Sequence, residues 1–340
     1  MNKKKNLCMI TTIYALFEYL LYASEKEIHD TYYIFEWWIP DSITSHFEHK
    51  YKLPKFKKQY QWNHRYCWAW VRYFKWRYLP NFNDYNLIAH DHLSYSTIFI
   101  GKRNYTMLED GPLIFSQKGV DLWTNKFAYR RHLKFQRLRR FLLGSTYGYP
   151  MGTNPQCTDL IVTSMDIAKE LKNKNIHYFD IFNEWKTSSE QKRGFILDVF
   201  GITQQLLKQI KDRDIVYFPN AFCEDRVFTE DEYRDFYKRL LKKYDMDRLI
   251  IKPHPRDYCK FYQVDLPGVV VIPSFIPSQL LDLIGLRFKK AITICSSSVL
   301  NLGYPIEIDW YGKKCHPNII NRYGEDEIVP EGVNICTLEE

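Results

Sequence analysis

Leu249-Ile250-Ile251-Lys252-Pro253-His254-Pro255-Arg256 is a short apolar run that stops in basic and imidazole side chains set between prolines. Such a run reads as a strand buried on both faces of a parallel sheet, where alternation of polar and apolar residues is lost. Further on, Ala291-Ile292-Thr293-Ile294-Cys295-Ser296-Ser297-Ser298 repeats the pattern with hydroxyls at its end. Ligands of open α/β sheets bind beyond the carboxyl ends of strands, so two such ends one crossover apart predict a shared crevice. Its chemistry suits a phosphate.

The same grammar continues on either side. Asp214 to Phe218, Val269 to Ile272 and Ile306 to Asp309 are further β-branched runs. Thr229-Glu230-Asp231-Glu232 has the capping-box pattern, and Tyr233, Phe236, Leu240 and Leu241 follow at helical spacing, which predicts a helix over Thr229 to Tyr244. Pro277 to Ile284 reads as another helix. Upstream, strands are predicted at Leu7 to Thr12, Thr31 to Phe35, Tyr85 to Ala89, Thr97 to Ile100, Asp159 to Thr163 and Tyr178 to Phe182, with Gly194 to Lys211 as one helix joining the halves. The fold class is therefore α/β, with Rossmann-like domains expected over residues 1–205 and 206–320 and a tail over 321–340.

A chain of 340 residues, 45% apolar and 26% charged, has the composition of a globular protein of two domains. Its eight cysteines (Cys8, Cys67, Cys157, Cys223, Cys259, Cys295, Cys315, Cys336) show no C-x-x-C pair or zinc-type spacing, which predicts reduced thiols and a cytoplasmic setting. Lys3-Lys4-Lys5 followed by Leu7 to Ala23 superficially copies a membrane anchor. The run is short, Glu18 interrupts it, and a strand followed by a helix explains the same residues.

Net charge is +8, and its placement says more than its total. From Tyr51 to Asn83 no acidic residue occurs, while Lys55, Lys57, Lys58, Arg72, Lys75 and Arg77 alternate with Trp62, Trp68, Trp70 and Trp76. A second basic stretch runs from Tyr129 to Leu143. Basic aromatic surfaces suit an anionic membrane, nucleic acid or carbohydrate; a solvated helix face over an aromatic core would look the same.

The chemistry-bearing residues fall into three groups. Two prolines fix the backbone around His254, which can donate to a phosphate oxygen while Lys252 and Arg256 balance charge. Ser296, Ser297 and Ser298 offer hydroxyls and N–H groups where Val299-Leu300-Asn301-Leu302 begins a short helix. Glu109-Asp110-Gly111 follows a predicted strand, and its carboxylates can serve as a general base. Glu224-Asp225 is a second such pair, with Asp225 as the reserve base. His90-Asp91-His92 is a poor metal site, because no further ligand cluster is evident in the sequence to complete a coordination shell. No Walker or G-x-G-x-x-G loop is present.

Glu109-Asp110-Gly111, His254-Pro255 and Ser296-Ser297-Ser298, in this order, resemble the acid-acid-glycine, His-Pro and Ser-Ser/Thr motifs of bacterial sialyltransferases. Lys252-Pro253-His254-Pro255-Arg256 and Ile294-Cys295-Ser296-Ser297-Ser298-Val299 look most like glycosyltransferase family 52, the lipooligosaccharide and capsule sialyltransferases. The resemblance implies a GT-B fold, two Rossmann-like domains facing across a cleft. It implies inverting transfer of sialic acid from CMP-sialic acid to a glycan hydroxyl, with no metal or other cofactor required. Carried over, Asp110 or Glu109 takes the acceptor proton and His254 serves the departing phosphate. Ser296 to Ser298 hold that phosphate, with Gly111, Lys252, Pro255 and Arg256 completing the binding residues.

The implied partners are CMP-sialic acid and an oligosaccharide or lipid-linked acceptor, with a peripheral contact on the inner membrane face through Lys55 to Tyr78. Homodimer formation is left open. Polyglycerol-phosphate polymerases also carry a His-Pro element and a serine pair, but after Asp-Tyr, whereas Ile294-Cys295 stands here. Transfer of another CMP- or CDP-activated group, such as Kdo or glycerol phosphate, is the nearest enzyme alternative. A non-catalytic nucleic-acid-binding protein is the alternative of another class; it predicts salt-dependent binding that survives His254→Ala, whereas the transferase reading expects no nucleic acid as a partner.

Overall fold

The computed structural model describes residues 4–54, 81–91, 96–111, 114–131, 137, 151–257, 259–296, 298–299, 302–325, 327 and 329–338. The basic aromatic segment from Lys55 to Tyr78, most of the second basic stretch, His92 and Ser297 lie outside them. The chain divides into two compact units, Met1–Ile196 and Leu197–Glu340, and the expected tail adds a strand to the second.

The first unit contains β1 (Asn6–Ile10), β2 (Tyr32–Phe35), β3 (Lys50–Lys52), β4 (Asn86–Ile88), β5 (Tyr105–Leu108), β6 (Cys157–Val162) and β7 (Asn175–Tyr178). They form one sheet in the order β3-β2-β1-β4-β5-β6-β7, with every pair parallel. The second unit contains β8 (Ile215–Phe218), β9 (Leu249–Ile251), β10 (Val270–Val271), β11 (Lys290–Thr293), β12 (Glu307–Trp310) and β13 (Asn334–Ile335), again all parallel, in the order β10-β9-β8-β11-β12-β13. In each sheet the order reverses beside the first strand, which creates a switch point at the strand ends. The apolar runs are explained by burial: every residue of β8 and β9 is buried.

The helix Glu230–Leu241 shows how sequence dictates an element. Thr229 caps it and Glu232 returns the bond, and Tyr233, Phe236, Tyr237, Leu240 and Leu241 form the buried stripe against β8 and β9. Each such side chain contributes roughly 1.5–3 kcal/mol on burial. In the first unit, Thr12 caps the helix Ile13–Tyr22, as expected of a strand followed by a helix. Among the described residues no helix is long and apolar enough to cross a membrane.

Three expected elements differ. Thr97 to Ile100 is helical (Ser96–Ile100), and the strand comes later at Tyr105–Leu108; a four-residue apolar run carries too little periodicity to separate the two. The Arg103 guanidinium bonds the carbonyls of Phe99 at 2.6 Å and Phe82 at 2.7 Å, holding that helix end. Tyr178 ends β7, and Asp180 caps a helix over Ile181–Thr187 where a strand was expected. Gly194 to Lys211 belongs to two helices, Glu190–Val199 and Gln204–Ile210, interrupted at Gly201 with φ 66° and restarted by the Thr203 cap.

Candidate active site

In the second unit, β9 hands the chain to the His-Pro loop. Lys252 N–H extends the ladder to the Tyr217 carbonyl at 2.9 Å. The buried Lys252 ammonium bonds the carbonyls of Pro253 at 2.8 Å and Ser274 at 2.9 Å, tying this loop to the one after β10. Burial holds its pKa down, to about 7. The side chain therefore braces the loop from within.

His254 accepts the Arg256 N–H on Nδ1 at 3.1 Å. That bond fixes the tautomer of the neutral ring and leaves its proton on Nε2. Burial, then the charges of Arg256 and Lys252, lower its pKa to about 4. Arg256 in turn forms a two-pronged pair with Asp225, at 2.7 and 3.2 Å. Tyr323 O–H donates to the same carboxylate at 2.7 Å, and Arg322 to the Asp225 carbonyl at 3.0 Å. Burial pushes the Asp225 carboxyl up, but the Arg256 and Tyr323 bonds outweigh it and hold it below the ordinary range. A carboxylate so committed is a weak base.

On the other side of β8, β11 leads to the serines. Thr293 Oγ1 donates to the Phe218 carbonyl at 3.0 Å and accepts the Ser296 N–H at 3.0 Å. Ser296 is buried, and its Oγ accepts the Ser298 N–H at 3.3 Å, an arrangement that leaves the Ser296 O–H as a donor. Thus β9 and β11 flank β8 rather than pairing, and His254 and the serines follow its two neighbours.

In the first unit, β5 runs into Glu109-Asp110-Gly111. Glu109 is buried and receives Thr163 N–H at 3.0 Å, Thr163 Oγ1 at 2.7 Å and Tyr14 O–H at 3.3 Å. Burial raises its pKa against the pull of those bonds. Asp110 is half-buried, and its carbonyl accepts from Thr12 Oγ1 at 3.4 Å. Gly111 has no left-handed φ, and an added Cβ would meet nothing within 4 Å among the described residues, so it supplies open space rather than a special turn.

Asp91, of the discounted His-Asp-His stretch, is structural: its carboxylate accepts from Tyr105 O–H at 2.6 Å and Gly152 N–H at 2.7 Å. Glu224, Asp257 and Cys259 bring donor atoms within 4.8 Å of one another, but Asp257 is already bonded to Tyr262 O–H and Cys259 N–H. Sequence spacing hides that trio, because it joins two loops.

The sequence of this chain matches glycosyltransferase family 52 over residues 38–318. The chain belongs to that family. Glu109, Asp110, His254 and the serines of this family 52 glycosyltransferase fall within the matched residues; Tyr14 and Glu18 precede them. An uncharacterised protein of Haemophilus influenzae is 29% identical over 240 residues, 70% of this chain and 71% of that protein. Solved structures similar in fold include a galactoside α-2,3-sialyltransferase of Photobacterium phosphoreum, with TM-score 0.56, 12% identity and coverage of 98% and 99% of the two chains. Another is the 2,6-sialyltransferase of Photobacterium sp. JT-ISH-224 in complex with CMP and lactose, with TM-score 0.54, 12% identity and coverage of 94% and 74%. A third, from Photobacterium damselae, is described as a GT-B domain, with TM-score 0.51, 12% identity and coverage of 91% and 92%. The family 52 chain therefore has the GT-B fold. Its sequence motifs did not reveal Tyr14, Thr163 or Tyr323, ordinary residues whose partners lie far away in the chain, nor Thr293, which joins the nearby Ser296 to the distant Phe218.

Proposed function

We propose that this family 52 glycosyltransferase moves sialic acid from CMP-sialic acid to a glycan hydroxyl of a bacterial capsule or lipooligosaccharide, with inversion and without a metal. The observation that carries the reading is the state of His254: Nδ1 is occupied by its own loop, and Nε2 carries the proton. Such a ring is oriented to serve a departing phosphate oxygen. The fold shared with enzymes described as sialyltransferases supports the same donor chemistry.

In the proposed reaction Asp110 removes the acceptor O–H proton as that oxygen bonds to the anomeric carbon. The bond from that carbon to the phosphate oxygen breaks, and CMP leaves with its phosphate oxygen accepting a hydrogen bond from the Nε2–H of the neutral His254 ring. The N–H and O–H groups of Ser296 to Ser298 hold the phosphate. Arg256 adds positive charge from the loop, and Lys252 keeps the loop in place.

Incubation with CMP-sialic acid and a lactose-type acceptor is expected to release CMP and give a sialylated product. His254→Ala is expected to lower kcat by about 10²- to 10⁴-fold with an unchanged circular dichroism spectrum. Normal turnover of that variant refutes the role of His254, and hydrolysis of CDP-glycerol in place of CMP-sialic acid refutes the donor.

A further inference from the structure

Glu18, whose charge interrupts the first apolar run, is fully buried on the helix Ile13–Tyr22. It lies one turn beyond Tyr14, the residue whose hydroxyl reaches Glu109. Among the described residues no side chain hydrogen-bonds the Glu18 carboxyl, and the polar group against it is the main chain of Glu109. The titratable groups facing it are Cys8 from β1, Tyr14 from its own helix, and Glu109 and Asp110 from the end of β5. None is a cation.

Two buried carboxylates that repel each other cannot both ionise without cost, so one of them is held neutral. The hydrogen bonds decide which. Glu109 receives donors from Thr163 and Tyr14, which suit an anion; Glu18 has only the main chain of Glu109 against it and no side-chain donor among the described residues. Its proton is also favoured by desolvation, which raises its pKa well above the ordinary carboxylate value.

We propose that Glu18 is a positioning residue for Asp110, a neutral acid packed beneath the acid-acid-glycine turn that holds Glu109, and through it the end of β5, in place. Glu109 is then the anchored carboxylate, and Asp110 beside it is the base of the proposed reaction. The proposal rests on the sialyl-transfer reading only for its turnover measurements.

Three variants separate the roles. Glu18→Gln keeps the shape and the donor of a neutral acid, whereas Glu18→Ala removes both. Turnover of Glu18→Ala is expected to fall about 10-fold or more, as a displaced base would give, with donor KM unchanged, and Glu18→Gln is expected to restore it to within about 3-fold of wild type. Asp110→Asn provides the level expected for loss of the base. The second readout is thermal unfolding of wild type and Glu18→Gln between about pH 4 and 9. A raised carboxyl pKa gives stability that is complete below the unfolded value and is lost as pH rises through the folded one. Glu18→Gln does not titrate, so its Tm relative to wild type should climb with pH above about 4.5.

A Tm difference flat with pH overturns the neutral acid. Glu18→Ala turning over like wild type overturns the positioning role, and Glu18→Gln as inactive as Asp110→Asn would show an ionised group in the reaction. Wild-type inertness toward CMP-sialic acid sinks the transferase reading instead, and the unfolding curves still decide the state of Glu18.

Discussion

Asp110 and Asp225 are chemically alike, and their surroundings separate them. Asp225 is held by Arg256 and Tyr323, whereas in the first unit the Thr163 and Tyr14 bonds fall on Glu109, the neighbour of Asp110. Asp110→Asn is expected to lower kcat by about 10²- to 10⁴-fold with little change in donor KM. Asp225→Asn is expected to act mainly on donor KM, because it frees Arg256 and loosens the His254 loop. Steady-state kinetics on both variants check this; a larger kcat loss at Asp225 would transfer the role of base to it. The motif residues were legible in sequence because each polar cluster follows a predicted strand and the three occur together in one order, although none is distinctive singly. Their division of labour was not, since Thr163 stands 54 residues from Glu109 and Tyr323 stands 98 from Asp225.

Elements were predictable where local chemistry repeats itself. The helix Glu230–Leu241 carries its cap, its acidic first turn, its basic last turn and its apolar stripe in one stretch. Thr229→Ala is expected to lower stability by about 1 kcal/mol, because the Glu232 N–H loses its side-chain acceptor. Denaturant titration measures it, and an unchanged midpoint would show the cap to be idle. Short elements were misread for the opposite reason. Thr97 to Ile100 and Tyr178 to Phe182 hold apolar and aromatic residues acceptable to strand and helix alike, and distant or flanking groups, Arg103 and Asp180, choose between them. The short β3 and β13 escaped notice because they are edge strands of little apolar content.

At the scale of the molecule, the proposed lipid-linked acceptor would require a membrane surface, and we propose the Trp-rich basic segment from Lys55 to Tyr78, whose composition suits one, as the contact. Combined charge reversal at Arg72, Lys75 and Arg77 is expected to weaken co-sedimentation with anionic vesicles while leaving turnover on a soluble acceptor intact. Unchanged sedimentation would assign that segment to something other than a membrane. The sequence by itself determined the α/β class, the doubly wound pattern of the second half and the identities of the motif residues, because burial on both faces of a parallel sheet imposes continuous apolar runs and strand ends expose the polar residues that follow. Only the tertiary structure decided strand order, the tautomer of His254, the bracing role of Lys252 and the burial of Glu18 against Glu109. Those depend on which distant groups meet at low dielectric, where a single hydrogen bond or like charge fixes a protonation state that composition and spacing leave undetermined.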